Sequence, residues 1–149
     1  METALSPANR LTTVHTPALE TGKNQIQDAD MKILVIEDDK ECLESIALAF
    51  KVYLPETEVI AAYRGLKGVE LVQMDAPDVI ILDLGLPDIG GFEVLQKIRA
   101  FCDVPVIILT ARIEEEDRTR GLALGADDYM HKPFKPQQLL SKVQEIVAS

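Results

Sequence analysis

The segment MKILVIEDD, residues 31–39, is the part of the sequence that decides the fold. After one lysine it runs through four apolar residues, ILVI, and then directly into three acidic residues, EDD. A continuous apolar run without alternating polar positions is typical of a strand buried on both faces of a parallel sheet. The segment therefore predicts that an α/β domain begins at Met31.

Strand and helix patterns alternate downstream of this segment. Further strands are predicted where short apolar runs are bounded by turn residues, at residues 58–62, 79–82, 106–109 and 128–131. Four of the five intervening or following helices have apolar residues at helical spacing: Leu43, Ile46, Ala47 and Phe50; Leu66, Val69, Leu71 and Val72; Phe92, Leu95 and Ile98; and Leu139, Leu140, Val143, Ile146 and Val147. The fourth helix is predicted from its acidic start, residues 114–117, and from Gly125 after its end. This alternation predicts an open parallel sheet with helices on both faces.

Length and charge limit the possible functions. The 149 residues fit one domain of ordinary size. With 25 acidic and 15 basic residues the formal net charge is −10, which disfavours direct binding to nucleic acid or to an anionic membrane surface. Cys42 and Cys102 have neither C-x-x-C spacing nor a nearby histidine, so they predict reduced, buried thiols rather than a zinc site or a disulfide.

Residues 1–30 differ in composition from the rest of the chain. They mix polar residues and proline with scattered apolar residues and have no periodicity, which predicts a disordered leader before a domain at residues 31–149. They lack the basic and apolar regions of a signal peptide, and no apolar run in the sequence approaches the roughly 20 residues of a membrane span. We therefore expect a cytoplasmic protein.

Polar residues follow four of the five predicted strands. They are Glu37, Asp38 and Asp39 after the first strand, Asp83 after the third, Thr110 at the end of the fourth and Lys132 after the fifth. Ligands of open α/β sheets bind at the carboxyl ends of the strands, which is where all six residues are predicted to lie. Because crowded acids repel one another, a cation is expected among them, and Mg²⁺ suits carboxylate and phosphate oxygens.

This set of residue types is suited to phosphoryl transfer. Asp83 is the candidate nucleophile, because a carboxylate can form an acyl phosphate. Thr110 and Lys132 can donate hydrogen bonds to phosphoryl oxygens, while the metal neutralises their charge. For Asp39 an equally good alternative is the N-cap of the next helix. Taken by itself, a strand-end threonine or a lysine before proline would favour a purely structural role. Polar residues after four strands, taken together, favour a functional site.

Four segments carry a resemblance to a known family: KILVIEDD, DVIILDLGLPDIGGFEVL, PVIILTAR and GADDYMHKPF. They resemble the signature segments of response-regulator receiver domains, and the resemblance covers residues 31–147. It implies a flavodoxin-like five-stranded sheet of order 2-1-3-4-5, Mg²⁺ dependence and phosphorylation by a histidine kinase or phosphotransfer partner.

The same resemblance implies a role for each matched site residue. Asp83 is the implied phosphoacceptor, with Lys132 and Thr110 as donors. Asp38, Asp83 and the backbone carbonyl of Gly85 are the implied metal ligands, and Glu37 acts through a water molecule.

The resemblance also implies a switch and a cis peptide bond. Thr110 moves to the phosphoryl group and the ring of Tyr129 turns inward, although Tyr129 as an ordinary sheet-edge aromatic with its hydroxyl in water stays an alternative. Ala111 is the small residue expected beside the threonine. Lys132-Pro133 is similar to the family's cis Lys-Pro step.

The C-terminal third is most similar to receivers of the winged-helix subfamily, which dimerise through the fourth helix, fifth strand and fifth helix. Arg118, Asp127 and Asp128 match charged residues that this subfamily uses across its dimer. Three positions depart from the pattern: Gln138 replaces an acid, Lys142 replaces an arginine and Ser149 stands where a basic residue is usual. Lysine cannot form a bidentate contact with a carboxylate, so the Asp128–Lys142 pairing across the dimer is expected to be weaker and at most a weak homodimer to form.

The predicted function is a two-component signalling switch that accepts and loses its own phosphoryl group, rather than an enzyme that acts on external substrates. One alternative is a receiver-like interaction module that is never phosphorylated, but such a module ordinarily lacks the acids or Lys132. Another is a Mg²⁺-dependent phosphatase or transferase, which needs a second acid close behind the nucleophile; position 85 is glycine and Asp88 is farther along. A stand-alone receiver and the receiver part of a longer regulator fit equally well.

Overall fold

The structure of the chain is a computed structural model that describes residues 31–148. The predicted leader, residues 1–30, lies outside the described residues, as does Ser149. Ten elements alternate within them: β1 (Lys32–Ile36), α1 (Lys40–Tyr53), β2 (Glu58–Ala62), α2 (Gly65–Asp75), β3 (Val79–Leu82), α3 (Gly91–Arg99), β4 (Val106–Thr110), α4 (Glu115–Ala123), β5 (Asp128–His131) and α5 (Pro136–Ala148). The predicted alternation is confirmed. None of the helices in this range is long and apolar enough to cross a membrane.

The five strands form one parallel sheet of order β2-β1-β3-β4-β5, as predicted. Ile36 of β1 pairs with Leu82 of β3, and Leu82 pairs with Ile108 of β4. The residues that follow β1 and β3 therefore emerge side by side at the carboxyl edge. The order reverses between these two strands, which is where open α/β sheets bind their ligands.

Both faces of the sheet are covered by apolar side chains. Leu34 and Ile36 of β1 belong to a buried cluster with residues of α2 and α3, whereas Ile33 and Val35 belong to another with residues of α1 and α5. Alternate residues of a strand point to opposite faces, so a strand covered on both sides must be apolar throughout. This is why residues 33–36 form an unbroken apolar run.

Two residues predicted to face the core are exposed. The exposed fraction is 53% for Leu66 in α2 and 43% for Val147 in α5. In α2 the buried face includes Gly68 instead, and a Cβ atom there would lie 2.5 Å from Cδ1 of Ile36. The absence of a side chain lets the helix backbone approach the sheet, and Leu66 is left on the outer side.

Gly91 brings the start of α3 against the end of β3. Its N–H donates to the carbonyl oxygen of Leu84 at 3.0 Å, and a Cβ atom at position 91 would lie 2.5 Å from the carbonyl oxygen of Asp83. Backbone atoms of a neighbouring segment cannot give way as a flexible side chain can. The adjacent Gly90 has no atom within 4 Å of the corresponding position.

We predict that Gly91→Ala lowers the free energy of unfolding by about 1–3 kcal/mol, as expected for overpacking against a rigid backbone. Gly90→Ala is the matched control, and its effect should stay below about 1 kcal/mol because the added methyl group meets open space. Urea unfolding followed by circular dichroism measures both. Equal losses in the two variants would show that the close approach at Gly91 is unimportant.

Candidate functional site

Three carboxyl groups converge where β1 and β3 end. Ligand oxygens of Glu37, Asp38 and Asp83 all lie within 4.8 Å of one another. Glu37 and Asp83 are buried and Asp38 is exposed, so the group is open to solvent on one side. The structure thus brings together the acids that sequence reasoning assigned to one site.

Lys132, which directly follows β5, also reaches this group. Its backbone N–H donates to the carbonyl oxygen of Thr110 at 2.9 Å, and its Nζ donates to Oε1 of Glu37 at 2.6 Å. The same Nζ lies 3.8 Å from Oδ1 of Asp83. The peptide bond between Lys132 and Pro133 is cis, as the resemblance implied.

Burial and pairing act in opposite directions on the charges of the site. Burial raises the pKa of Glu37, and the hydrogen bonds from Lys132 and from the backbone of Asp39 offset only part of this effect. Burial alone would lower the pKa of Lys132, but the hydrogen bond to Glu37 and the charge of Asp83 outweigh it and raise that pKa. The pocket therefore holds three carboxyl groups and one ammonium group, that of Lys132, which contacts Glu37 and Asp83. A divalent cation would compensate the remaining negative charge.

Asp39 is the N-cap of α1. Its Oδ1 accepts a hydrogen bond from the backbone N–H of Glu41 at 3.0 Å, and its own N–H donates to Oε2 of Glu37 at 3.0 Å. A side-chain oxygen that accepts from the second residue of a helix is the usual capping arrangement. Of the alternatives that the sequence left open for Asp39, the structure supports the cap.

Thr110 and Tyr129 meet at the backbone of Arg112. Oγ1 of the buried Thr110 accepts from the N–H of Arg112 at 3.3 Å, and the hydroxyl of Tyr129 donates to the carbonyl oxygen of Arg112 at 3.2 Å. The ring of Tyr129 is buried, which raises its pKa, and it contacts His131 edge-on. The alternative of an ordinary sheet-edge tyrosine with its hydroxyl in water is therefore wrong, because the ring is buried and the hydroxyl is bonded to the backbone.

Cys42 is a neighbour of the site that sequence reasoning did not identify. It lies in the first turn of α1, close to Glu37. Burial, followed by the charge of Glu37, raises the pKa of this thiol to about 12. Cys42 is thus protonated at neutral pH. Both cysteines are free, in agreement with the prediction, but they are half-buried rather than buried. The acidic run directly before α1 was the available signal, because the first turn of the helix lies close to it.

The donor set fits a hard divalent cation. Carboxylate oxygens of Asp38 and Asp83 are the ligand type that Mg²⁺ prefers, and Mg²⁺ ordinarily takes only one or two of them from a protein. Glu37 is held by Lys132, which favours contact with a metal through water rather than directly. Gly85 lies two residues after Asp83 and is exposed to solvent. Because glycine has no side chain, nothing at position 85 covers the Asp83 carboxylate, to which a Cβ atom there would come within 3.9 Å.

The charged residues expected at a dimer interface have partners within the chain. The distances are 3.1 Å for Asp127 and Arg99, 2.9 Å for Asp128 and Lys142, and 3.8 Å for Arg118 and Glu115. Oδ1 of Asp127 also accepts from the backbone N–H of Val106 at 2.9 Å. The pair Asp128–Lys142, which sequence reasoning placed across a dimer, thus forms inside one copy.

The chain is thus a parallel α/β domain with an acidic pocket, a lysine and a threonine at the carboxyl edge of its sheet. Residues 33–144 match the family model described as "Response regulator receiver domain". The chain belongs to this family, and it is a receiver domain of the two-component signalling type.

Comparison with individual proteins agrees with this family. The chain is 40% identical over 118 residues to the cell cycle response regulator CtrA of Brucella ovis, a match that covers 78% of the chain and 50% of the relative. The chain therefore spans about half the length of the curated relatives it matches. The receiver domain of Francisella response regulator 1452 is 31% identical with a TM-score of 0.74, covering 79% of this chain and 97% of that one. The BeF3-activated N-terminal receiver domain of Klebsiella pneumoniae RstA is 27% identical with a TM-score of 0.75, and the match covers 79% of this chain and 99% of that one.

We predict that Mg²⁺ raises the Tm of the chain, because an ion that binds the native state stabilises it by mass action. At ten times its Kd the gain is about 1.4 kcal/mol. Differential scanning calorimetry with and without Mg²⁺ measures the shift. Asp38→Ala should abolish it, whereas Asp103→Ala, which removes an exposed acid from the α3–β4 loop, should retain it. An equal shift in Asp38→Ala would argue against a metal at this site.

Proposed function

We propose that the chain accepts a phosphoryl group on Asp83 from a sensor histidine kinase or a phosphotransfer protein. The observation that carries this proposal is the position of Asp83, which shares the acidic pocket with Glu37 and Asp38 and lies 3.8 Å from the ammonium group of Lys132. A nucleophile placed between a cation site and a fixed donor is the arrangement that phosphoryl transfer requires.

In the proposed reaction, a carboxylate oxygen of Asp83 attacks phosphorus, and the bond between phosphorus and the donor's histidine nitrogen breaks. The product is an acyl phosphate. Asp38, Asp83 and the Gly85 carbonyl would hold Mg²⁺, with Glu37 acting through a water molecule, and the ion supplies charge neutralisation at the phosphoryl oxygens. Water later hydrolyses the acyl phosphate, so the only chemistry is acceptance and loss of the chain's own phosphoryl group.

Lys132 and Thr110 bind the phosphoryl oxygens in this proposal. Lys132 shifts from Glu37 toward Asp83 and donates a hydrogen bond to a phosphoryl oxygen. Because the ammonium group is charged, this hydrogen bond is stronger than one between neutral groups. The Thr110 hydroxyl exchanges the N–H of Arg112 for a phosphoryl oxygen. Because the same Arg112 backbone also accepts from Tyr129, this exchange changes the surface formed by α4, β5 and α5.

The position of Asp88 argues against a phosphatase or transferase that acts on external substrates. Such an enzyme needs a second acid beside the nucleophile, and both oxygens of Asp88 accept hydrogen bonds from the backbone N–H groups of Gly65 and Leu66. An interaction module without phosphorylation is disfavoured because Glu37, Asp38, Asp83 and Lys132 converge at one site.

Charge and family membership also support proposals about domain bounds, cellular location and partners. We propose residues 31–149 as the receiver domain after a leader at residues 1–30, acting in the cytoplasm. The net charge of −10 disfavours direct nucleic-acid or membrane binding by this chain. Its output is contact with another protein or with a further domain through the α4, β5 and α5 surface.

We predict that acetyl phosphate with Mg²⁺ adds one phosphoryl group to the chain. Asp83→Asn should abolish the labelling, because an amide does not form an acyl phosphate, and EDTA should abolish it in the wild type. Intact-protein mass spectrometry measures both results. The matched control is Asp103→Asn, an exposed aspartate at the opposite edge of the sheet, which should label normally. Full labelling of Asp83→Asn, or of the wild type in EDTA, would sink the proposal.

We expect phosphorylation to promote only weak self-association. Asp127, Asp128 and Arg118 have partners within the chain, and an exposed pair contributes only about 0–1 kcal/mol, so exchanging these pairs across a dimer gains little. Sedimentation velocity with and without beryllofluoride should find a monomer at low micromolar concentration in both states. A tight dimer formed with beryllofluoride would show that apolar contacts outweigh the missing ion pairs.

A further inference from the structure

Asp88 links the loop after β3 to the beginning of α2. Its Oδ1 accepts from the N–H of Gly65 at 2.8 Å, and its Oδ2 accepts from the N–H of Leu66 at 2.9 Å. These are the first two residues of α2, and the residue before them, Arg64, makes no side-chain cap. The cap of this helix therefore comes from a loop that is more than twenty residues away along the chain.

The same loop, residues 84–90, carries part of the proposed site. It begins directly after Asp83, whose N–H donates to the carbonyl oxygen of Ile36 at 3.0 Å, and it ends where the N–H of Gly91 donates to Leu84 at 3.0 Å. Gly85 lies between these anchors on the exposed side. The direction of its carbonyl group therefore depends on how the loop around it is held.

We propose that Asp88 is a positioning residue for the phosphoryl and metal site: by clamping the loop onto α2, it holds the Gly85 carbonyl where a metal bound to Asp83 and Asp38 can use it. This inference rests on the proposed function. Asp88 touches neither the metal nor the phosphoryl group in this scheme, and it acts through the loop backbone.

Packing around the clamp supports this role. A Cβ atom at Gly65 would lie 2.6 Å from Cγ2 of Val94 in α3 and 3.4 Å from Oδ1 of Asp88. The start of α2 is thus in close contact with both the loop and α3. Movement of Asp88 away from α2 would leave two helical N–H groups without their acceptor, which opposes opening of the loop.

The charge of Asp88 strengthens the clamp. Its slight burial would raise its pKa, but the hydrogen bonds from Leu66 and Gly65 outweigh this effect and lower the pKa below its ordinary value. Asp88 is therefore a carboxylate at neutral pH, and a negative charge is favourable at the N-terminus of a helix. An amide in its place would offer one acceptor oxygen instead of two.

Groups that orient metal ligands from outside the coordination shell typically change metal affinity by 10–100-fold when they are removed. We therefore expect Asp88→Ala to weaken Mg²⁺ binding about tenfold. Asp88→Asn should give a Kd between those of Asp88→Ala and the wild type, because one acceptor oxygen remains. Isothermal titration calorimetry with Mg²⁺ measures these values, and circular dichroism establishes that each variant is folded at the temperature used.

The matched control is Asp78→Ala. Oδ2 of Asp78 accepts from the backbone N–H of Lys32 at 2.8 Å, so it also joins two distant segments through an exposed aspartate, but at the opposite edge of the sheet. Asp78→Ala should lower the Tm and leave the Kd for Mg²⁺ unchanged. A purely structural role of Asp88 would make the two alanine variants alike in both measurements.

An unchanged Kd in Asp88→Ala, or equal weakening in Asp78→Ala, would overturn the inference while Asp83 labelling of the wild type still supports the proposed function. If Asp88→Ala does not fold, Asp88→Asn decides: weaker binding than the wild type supports positioning, and an equal Kd overturns it. Failure of the wild type both to bind Mg²⁺ and to become labelled would overturn the proposed function together with the inference.

Discussion

The mutual repulsion of three carboxyl groups is the constraint on which the rest of this structure depends. Glu37, Asp38 and Asp83 lie within 4.8 Å of one another because they follow adjacent parallel strands. Burial of Glu37 and Asp83 makes this proximity costly, and the contact between Lys132 and Glu37 at 2.6 Å relieves only part of the cost. The fold thus brings together three carboxyl groups that could hold a metal ion.

The surrounding structure keeps this arrangement rigid. Strands that are apolar on both faces hold the carboxyl edge, and Gly91 lets α3 begin directly against the backbone of Asp83. Asp88 fastens the following loop to α2. On the other side of the site, the Thr110 hydroxyl accepts from the N–H of Arg112 and the Tyr129 hydroxyl donates to the Arg112 carbonyl.

Sequence patterns were sufficient where a local rule determines the outcome and failed where distant segments meet. The apolar run before Glu37 predicted a buried strand, because coverage on both faces leaves no polar positions. Leu66 fits a helical face but lies outside, since Gly68 determines how α2 approaches the sheet. The hydrogen bonds of Asp88 are with backbone N–H groups more than twenty residues away, which no local pattern places nearby. The inward ring of Tyr129 likewise depends on the position of the Arg112 carbonyl.

A crystal structure of the chain with Mg²⁺ and beryllofluoride would show whether Asp83 is the phosphoacceptor. We predict beryllium bonded to a carboxylate oxygen of Asp83 and the metal bound by Asp38, Asp83 and the Gly85 carbonyl. We also predict that Nζ of Lys132 and the Thr110 hydroxyl donate to fluorine atoms. Beryllofluoride absent from Asp83, with Lys132 still bound only to Glu37 and the metal held elsewhere, would contradict the proposed function.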